Sequence, residues 1–307
     1  MQLIRKALSG ALVLAALGVL PAAGAVSAAG AAANFPVTVH TSKGAVRIPS
    51  RPTSIVSLSA TATEMLYAIG AGAQVRAVDK YSTYPAGAPV TNLDGFTASG
   101  EALAKYKPDL VVVSYEPSGF ASQMAKLKIP VLYEPAAATL AQSYAQYLAL
   151  GRATGHYTQA LNEVRKVRAR ITSIVSSTPK SAPGTTYYWE LDPTYYSVTS
   201  ATFMGQLMSL LGLKSIADSG GLHASGGYPQ LTAEFILQAN PTYIFLADTL
   251  CCQATSASVA ARPGWSAMSA VSGHRILGLN DNIASNWGPR IAVLLQQVAN
   301  FVKAHQG

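Results

Sequence analysis

Residues 101–113 read EALAKYKPDLVVV, and residues 234–246 read EFILQANPTYIFL. The second stretch restates the first 133 positions later, without an insertion. Each opens on a glutamate (Glu101, Glu234), reaches a proline seven residues on (Pro108, Pro241) and runs into an apolar stretch. Two residues ahead of each glutamate stands a good helix N-cap, Ser99 or Thr232. The pattern therefore predicts, twice, a capped helix of about two turns that a proline ends, followed by a buried strand. A repeat in register over this length predicts two halves built alike.

Outward from the first copy, FPVTVHTSKGAVRIP (35–49) alternates and turns at Lys43-Gly44, which reads as a hairpin. TSIVSLS (53–59), VRAVDK (75–80) and IPVLYE (129–134) read as strands, with helices over 61–69 and 119–127. Strands alternating with helices at this spacing predict a parallel sheet covered on both faces. From Leu140 to about Ser177 only helical periodicity is present, broken once near Gly155. Beyond it TTYYWEL (185–191), YYSVT (195–199) and RILGL (275–279) read as strands. Helices are expected over 201–212 and in the closing GPRIAVLLQQVANFVKAH. The predicted fold class is α/β, with two Rossmann-like lobes joined by a long helix and a cleft between them. The boundaries are an N-terminal lobe over 35–138, a helical connector over 139–178 and a C-terminal lobe over 179–307.

A chain of 307 residues can hold two such cores. Its first 28 residues place Arg5 and Lys6 ahead of an apolar run, Ala7 to Leu20, and then small residues. This is the order of a cleavable secretory leader, and the run is shorter than the ~20 residues that span a bilayer. With no cysteine near the cleavage point to acylate, the mature chain is expected to be exported, most simply to a periplasm. Losing Arg5 and Lys6 lowers the formal charge from +8 to +6, with 20 cations against 14 acids. Those cations are scattered, apart from EVRKVRAR (163–170), which reads as a solvated helix face, so no nucleic-acid partner is expected. The two cysteines, Cys251 and Cys252, are adjacent. Their Cα atoms, about 3.8 Å apart, sit below the usual disulfide range of ~4.4–6.8 Å. A strained vicinal bridge and two buried thiols both remain open, and neither makes a metal site.

At this point RPTSIVSLSATATEMLYAIGAG, YSTYP, KPDLVVV, RPGWSAMSAVSGHRILGLND and GPRI stand in order along residues 51–304. In wording and order they resemble the exported substrate-binding proteins of ABC importers for cobalamin, haem and ferric siderophores. The resemblance implies two lobes bridged by one long helix. It also implies a permease dimer with ATPase subunits as partner, with Glu101 and Glu234 each meeting a permease arginine. The residues support that pairing on their own, because a matched glutamate in the first turn of two equivalent helices belongs on one rim.

In a two-lobe binder the ligand lies against the loops at strand C-termini. Many of the 15 tyrosines fall in such loops. The expected ligand-binding residues are Tyr81, Tyr84, Phe96, Tyr115, Trp189, Tyr196, Tyr228, Asp281, Trp287 and Arg290. Their aromatic faces suit a flat chelate such as a corrin or porphyrin. The resemblance implies an aromatic residue at Tyr228 and near Phe96 in cobalamin binders. It implies Tyr84, Tyr196 or His223 as axial ligands for haem, and Arg290 with Tyr81 for a siderophore. The reading commits to a corrinoid carried by a monomer with no catalytic residue, no resident cofactor and no bound metal of its own. A ferric siderophore or haem is the alternative. The enzyme reading is weaker: His223 and Ser225 in GLHASGG lack the G-x-S-x-G spacing, and the adjacent cysteines do not form a cluster set.

Overall fold

The computed structural model describes residues 34–219 and 226–306; the leader expected at 1–28, His223 and Ser225 lie outside the described residues. β1 (Val37–Thr41) and β2 (Gly44–Ile48) form the antiparallel hairpin. From β3 (Ile55–Leu58) strands and helices alternate through α1 (Ala60–Ala68), β4 (Val75–Val78), α2 (Gly100–Ala104), β5 (Leu110–Val113), α3 (Phe120–Lys126) and β6 (Val131–Tyr133). These four strands are parallel, in the spatial order β4-β3-β5-β6. Every residue of β3 and β5 is buried. A parallel sheet covered on both faces requires this, and it is why LVVV does not alternate.

The stretch over 139–178 forms two helices, α4 (Leu140–Thr154) and α5 (Tyr157–Ser177), parted where Gly155 takes a left-handed φ of +77°. α4 belongs to the first core, which holds its Tyr147, Leu150 and Ala153. α5 is shared. Ala160 and Val164 pack into the first core, and Val167, Ile171 and Ile174 pack into the second. At 21 residues this bridging helix is about 31 Å long.

The second half runs β7 (Thr186–Glu190), α6 (Phe203–Leu210), β8 (Lys214–Ser215), α7 (Ala233–Ala239), β9 (Tyr243–Leu246), α8 (Ser256–Ala260), α9 (Ser269–Ser272), β10 (Ile276–Gly278), α10 (Asp281–Ala284) and α11 (Ile291–Ala304). Its parallel sheet is ordered β10-β9-β7-β8. Counted from the first strand of each half, both sheets read second, first, third, fourth. In both, the order reverses between the first and third strands, and a cleft opens there at the strand C-termini.

The repeated phrase keeps its register in three dimensions. Ser99 and Thr232 cap α2 and α7 by accepting the N–H of Ala102 and of Phe235. Just ahead of each proline the backbone turns left-handed, at Lys107 (φ 46°) and Asn240 (φ 43°). Just after it a side chain ties the incoming strand to its neighbour. The Asp109 carboxylate accepts from the Thr53 N–H at 2.7 Å, and the Thr242 hydroxyl accepts from the Thr186 N–H at 3.3 Å.

Two expectations are corrected. YYSVT is not a strand. Ser197 and Thr199 donate to the carbonyls of Pro229 and Gly227, and Tyr196 makes a lone antiparallel bridge to Gln230. Pro229 has no N–H to return, so the ladder stops. Trp189 is not a cleft residue. It is fully buried on β7, edge-on to Phe245 at 5.9 Å, because both faces of that strand are covered.

Candidate functional site

A cavity of about 360 Å³ lies between the lobes. One wall comes from the residues that end β3, β4 and β5, namely Leu58, Ser59, Asp79 and Ser114, with Thr61 from α1. The opposite wall is the segment Asp281, Asn282, Ser285, Asn286 and Trp287. This is the switch point of the first sheet, closed over by α10 of the second lobe. Three rings crown it. Phe96 stands between Tyr81 at 5.7 Å and Tyr115 at 5.6 Å, and these rings are 58%, 44% and 50% exposed. These rings are apolar surface exposed at the cavity mouth and belong to no hydrophobic core among the described residues.

Trp287 packs against both hydrophobic cores. Its indole N–H donates to the Gln146 carboxamide oxygen at 2.6 Å, and its carbonyl accepts from the Ser143 hydroxyl at 2.6 Å. Asp281 accepts from the N–H groups of Cys251 at 2.8 Å and Leu250 at 3.0 Å, and from the Thr249 hydroxyl at 3.1 Å. Burial pushes its carboxyl up, but those amides push it down further, and the net direction is down. Tyr81, Phe96, Tyr115, Asp281 and Trp287 are thus brought together at one cavity.

The remaining candidates stand apart from it. Arg290 lines a separate groove, with Tyr84 stacked 4.2 Å below its guanidinium. Its Nε donates to the Glu64 carboxylate at 3.0 Å, and Glu64, on α1 of the other lobe, is 2% exposed. Asn286 joins them, accepting from the Thr61 hydroxyl at 2.8 Å and donating to Glu64. The charge of Arg290 is therefore paired with Glu64 in a clamp between the lobes. Tyr196 and Tyr228 are exposed but line no part of the cavity. Cys251 and Cys252 are free and exposed, neither bridged nor buried.

Glu101 and Glu234 lie in the first turns of α2 and α7, exposed, and neither has an ion-pair partner among the described residues. A crossover helix begins at the edge where parallel strands end, so each glutamate sits on the cleft edge of its own sheet. Glu101 opens onto a hollow of about 530 Å³ that it shares with Asn92, Ser99 and Tyr106.

The residues missed by the sequence reading are the small polar ones of the wall: Ser59, Thr61, Asp79, Ser114, Asn282, Ser285 and Asn286. A signal for three of them was present, since Ser59, Asp79 and Ser114 each follow directly on a strand.

A second polar group is sealed inside the C-terminal lobe. Glu190 is fully buried and bidentate with Arg262, at 2.6 Å on each oxygen. Asp248 is also fully buried beside Glu190, and neither of its oxygens meets a donor among the described residues. Burial first, and the Glu190 charge second, push the Asp248 carboxyl up to about 7. A folded-state value above that of the unfolded chain means the fold binds this proton more tightly. The stabilisation is complete below the unfolded value near 4 and is lost as pH rises towards 7, at no more than about 1.4 kcal/mol per pH unit. Asp248→Asn, a neutral isostere, should therefore raise the melting temperature more at pH 8 than at pH 5. An equal shift at both values would mean that Asp248 is ionised throughout.

A family model described as periplasmic binding protein matches residues 55–283. An uncharacterized ABC transporter substrate-binding lipoprotein of Bacillus subtilis is 28% identical, covering 87% of this chain and 86% of its own. A vitamin B12-binding protein of Pectobacterium atrosepticum is 26% identical, covering 81% of this chain and 88% of its own. The solved periplasmic heme-binding protein from Roseiflexus superposes with a TM-score of 0.70 at 19% identity, over 83% of this chain and all of that one. The matched span takes in both sheets, α5 and the cavity wall up to Ile283. The chain belongs to the periplasmic binding protein family.

Proposed function

We propose that this chain is the extracytoplasmic substrate-binding component of an ABC importer, and that its cleft captures a corrinoid. One observation carries the ligand class. The cavity lining combines aromatic rings, hydroxyls and carboxamides with two carboxyl groups, Asp79 and Asp281, and among the described residues includes no Arg, Lys or His. Such a lining disfavours ligands with a net negative surface. A haem brings two propionates and a ferric tricatecholate an anionic shell, and each would face carboxylates without a compensating cation. A corrinoid offers a flat rim of uncharged amides, which aromatic faces and hydroxyls accommodate. Relatives named as vitamin B12-binding proteins support the same choice. The exposed, register-matched Glu101 and Glu234 support docking on a permease through a carboxylate–guanidinium contact at each lobe.

The test is a titration of the mature protein with cyanocobalamin, followed by tryptophan fluorescence. Trp189 and Trp265 are sealed in the cores, so the quenching should come from Trp287 and vanish in Trp287→Phe. Saturation at or below the micromolar range, about −8 kcal/mol, is the expected result. Saturable binding of haem or a ferric siderophore, with none of cyanocobalamin, would replace the corrinoid reading and leave the importer role in place.

A further inference from the structure

The floor of the cleft holds a carboxyl that the aromatic crown does not explain. Asp79 directly follows β4, is 3% exposed and lines the cavity. Behind it runs a chain of hydroxyls. Ser82 donates to Asp79 Oδ1 at 2.7 Å, Thr63 donates towards Ser82 Oγ at 3.1 Å, and Ser57 Oγ lies 2.9 Å from Thr63 Oγ1. Ser57, Thr63 and Ser82 are all fully buried, so this support is fixed by packing on every side. A carboxyl is rarely taken out of water without a partner for each oxygen. Here Oδ1 has the Ser82 hydroxyl, the backbone N–H groups of Ser82 and Tyr81 also face the carboxyl, and Oδ2 lies beside Gly95.

Gly95 also lines the cavity, and its missing side chain leaves the space beside Oδ2 unfilled. A Cβ placed there would stand 2.8 Å from Asp79 Oδ2 and 2.8 Å from the Leu58 carbonyl oxygen, and that carbonyl is backbone that cannot swing away. The sequence thus keeps a gap beside a preorganised acceptor, on a wall whose described residues include no cation.

We propose that Asp79 is a specificity-determining residue of the cleft. Its Oδ2 accepts a hydrogen bond from an N–H donor on the ligand, and Gly95 keeps the path to it clear. The donor class that fits is a primary amide on the rim of the ligand. A carboxylate at the same place has no N–H to give and would lose that hydrogen bond. A site built to hydrogen-bond one group rejects its analogue strongly, because its own buried polar atom is then left unpaired. This inference rests on the corrinoid reading, since it is the peripheral amides of a corrinoid that would supply the donor.

The experiment compares cyanocobalamin with its monocarboxylic acid derivatives, in each of which one peripheral amide is hydrolysed to a carboxylate. Wild type should bind at least one of these acids ten-fold or more weakly than cyanocobalamin. In Asp79→Asn the affinity for cyanocobalamin should fall by about ten-fold, equivalent to about 1.4 kcal/mol. The penalty against that acid should shrink to within about three-fold of parity. Gly95→Ala should weaken cyanocobalamin at least as much, but it also strains the Leu58 backbone and should lower the melting temperature, so the unstrained Asp79→Asn variant decides. The selectivity ratio is the deciding readout, because a merely structural role for Asp79 would weaken all the ligands alike. If wild type binds cyanocobalamin but Asp79→Asn keeps both its affinity and its discrimination, this inference falls and the corrinoid reading survives. If wild type binds no corrinoid, both fall together.

Discussion

Exchange of Arg262 for methionine should lower the stability of the fold by about 3–5 kcal/mol, the usual consequence of stranding one partner of a buried ion pair. Glu190 has no exposed surface, and Arg262 is the one cation on both of its oxygens among the described residues. The guanidinium lies 4.6 Å over the Trp265 ring and 5.5 Å over Tyr195, so truncation also opens a stacked aromatic group. Asp248 stands beside Glu190 with no partner of its own, so the loss would leave two carboxyls in an apolar interior with no cation. Differential scanning calorimetry should show a fall in melting temperature on the order of 10 °C. Adding Glu190→Leu should recover most of the loss, because the stranded charge rather than the missing contact carries the cost. A single variant melting within about 2 °C of wild type would mean that Glu190 reaches water or another partner.

Reversing both docking charges should have the largest effect on function. Glu101→Lys with Glu234→Lys is expected to reduce ligand uptake in cells about 100-fold, while ligand affinity in solution stays within about two-fold of wild type. Losing a charge-assisted contact at a docking interface typically costs about 2–5 kcal/mol, and a reversed charge adds repulsion. Both side chains are exposed and without ion-pair partners among the described residues, so the fold should tolerate the change. The equivalent positions of α2 and α7 further require the two single variants to lose similar amounts. Normal growth of the double variant on limiting ligand would remove both glutamates from the docking assignment.

Much of the fold was legible because parallel sheets write themselves as unbroken apolar runs. LVVV and YIFL could be placed as strands, and the repeat fixed which helix precedes each. The same property hid the orientation of Trp189. In a strand buried on both faces no alternation marks inside from outside, so an aromatic near its C-terminal end passes for a cleft residue. β8 is two residues long and leaves no pattern to find. Arg290 looked like an anion-binding group because its partner, Glu64, is 226 positions away, a pairing that single-sequence spacing cannot convey. Asp79 carries the same signal as Ser59 and Ser114, a polar residue directly after a strand, but spacing alone does not show that it lines the cavity.

The shared helix α5 bears on how the molecule comes apart. Its first half is a wall of one core and its second half a wall of the other, with no loop between the two. Neither lobe can melt without fraying a helix that the other still uses, and a frayed half-helix loses its own hydrogen bonds as well as its packing. Unfolding should therefore be a single cooperative event rather than two. Amide protons at both ends of α5 should exchange at the global rate, as though one lobe held the lock of the other.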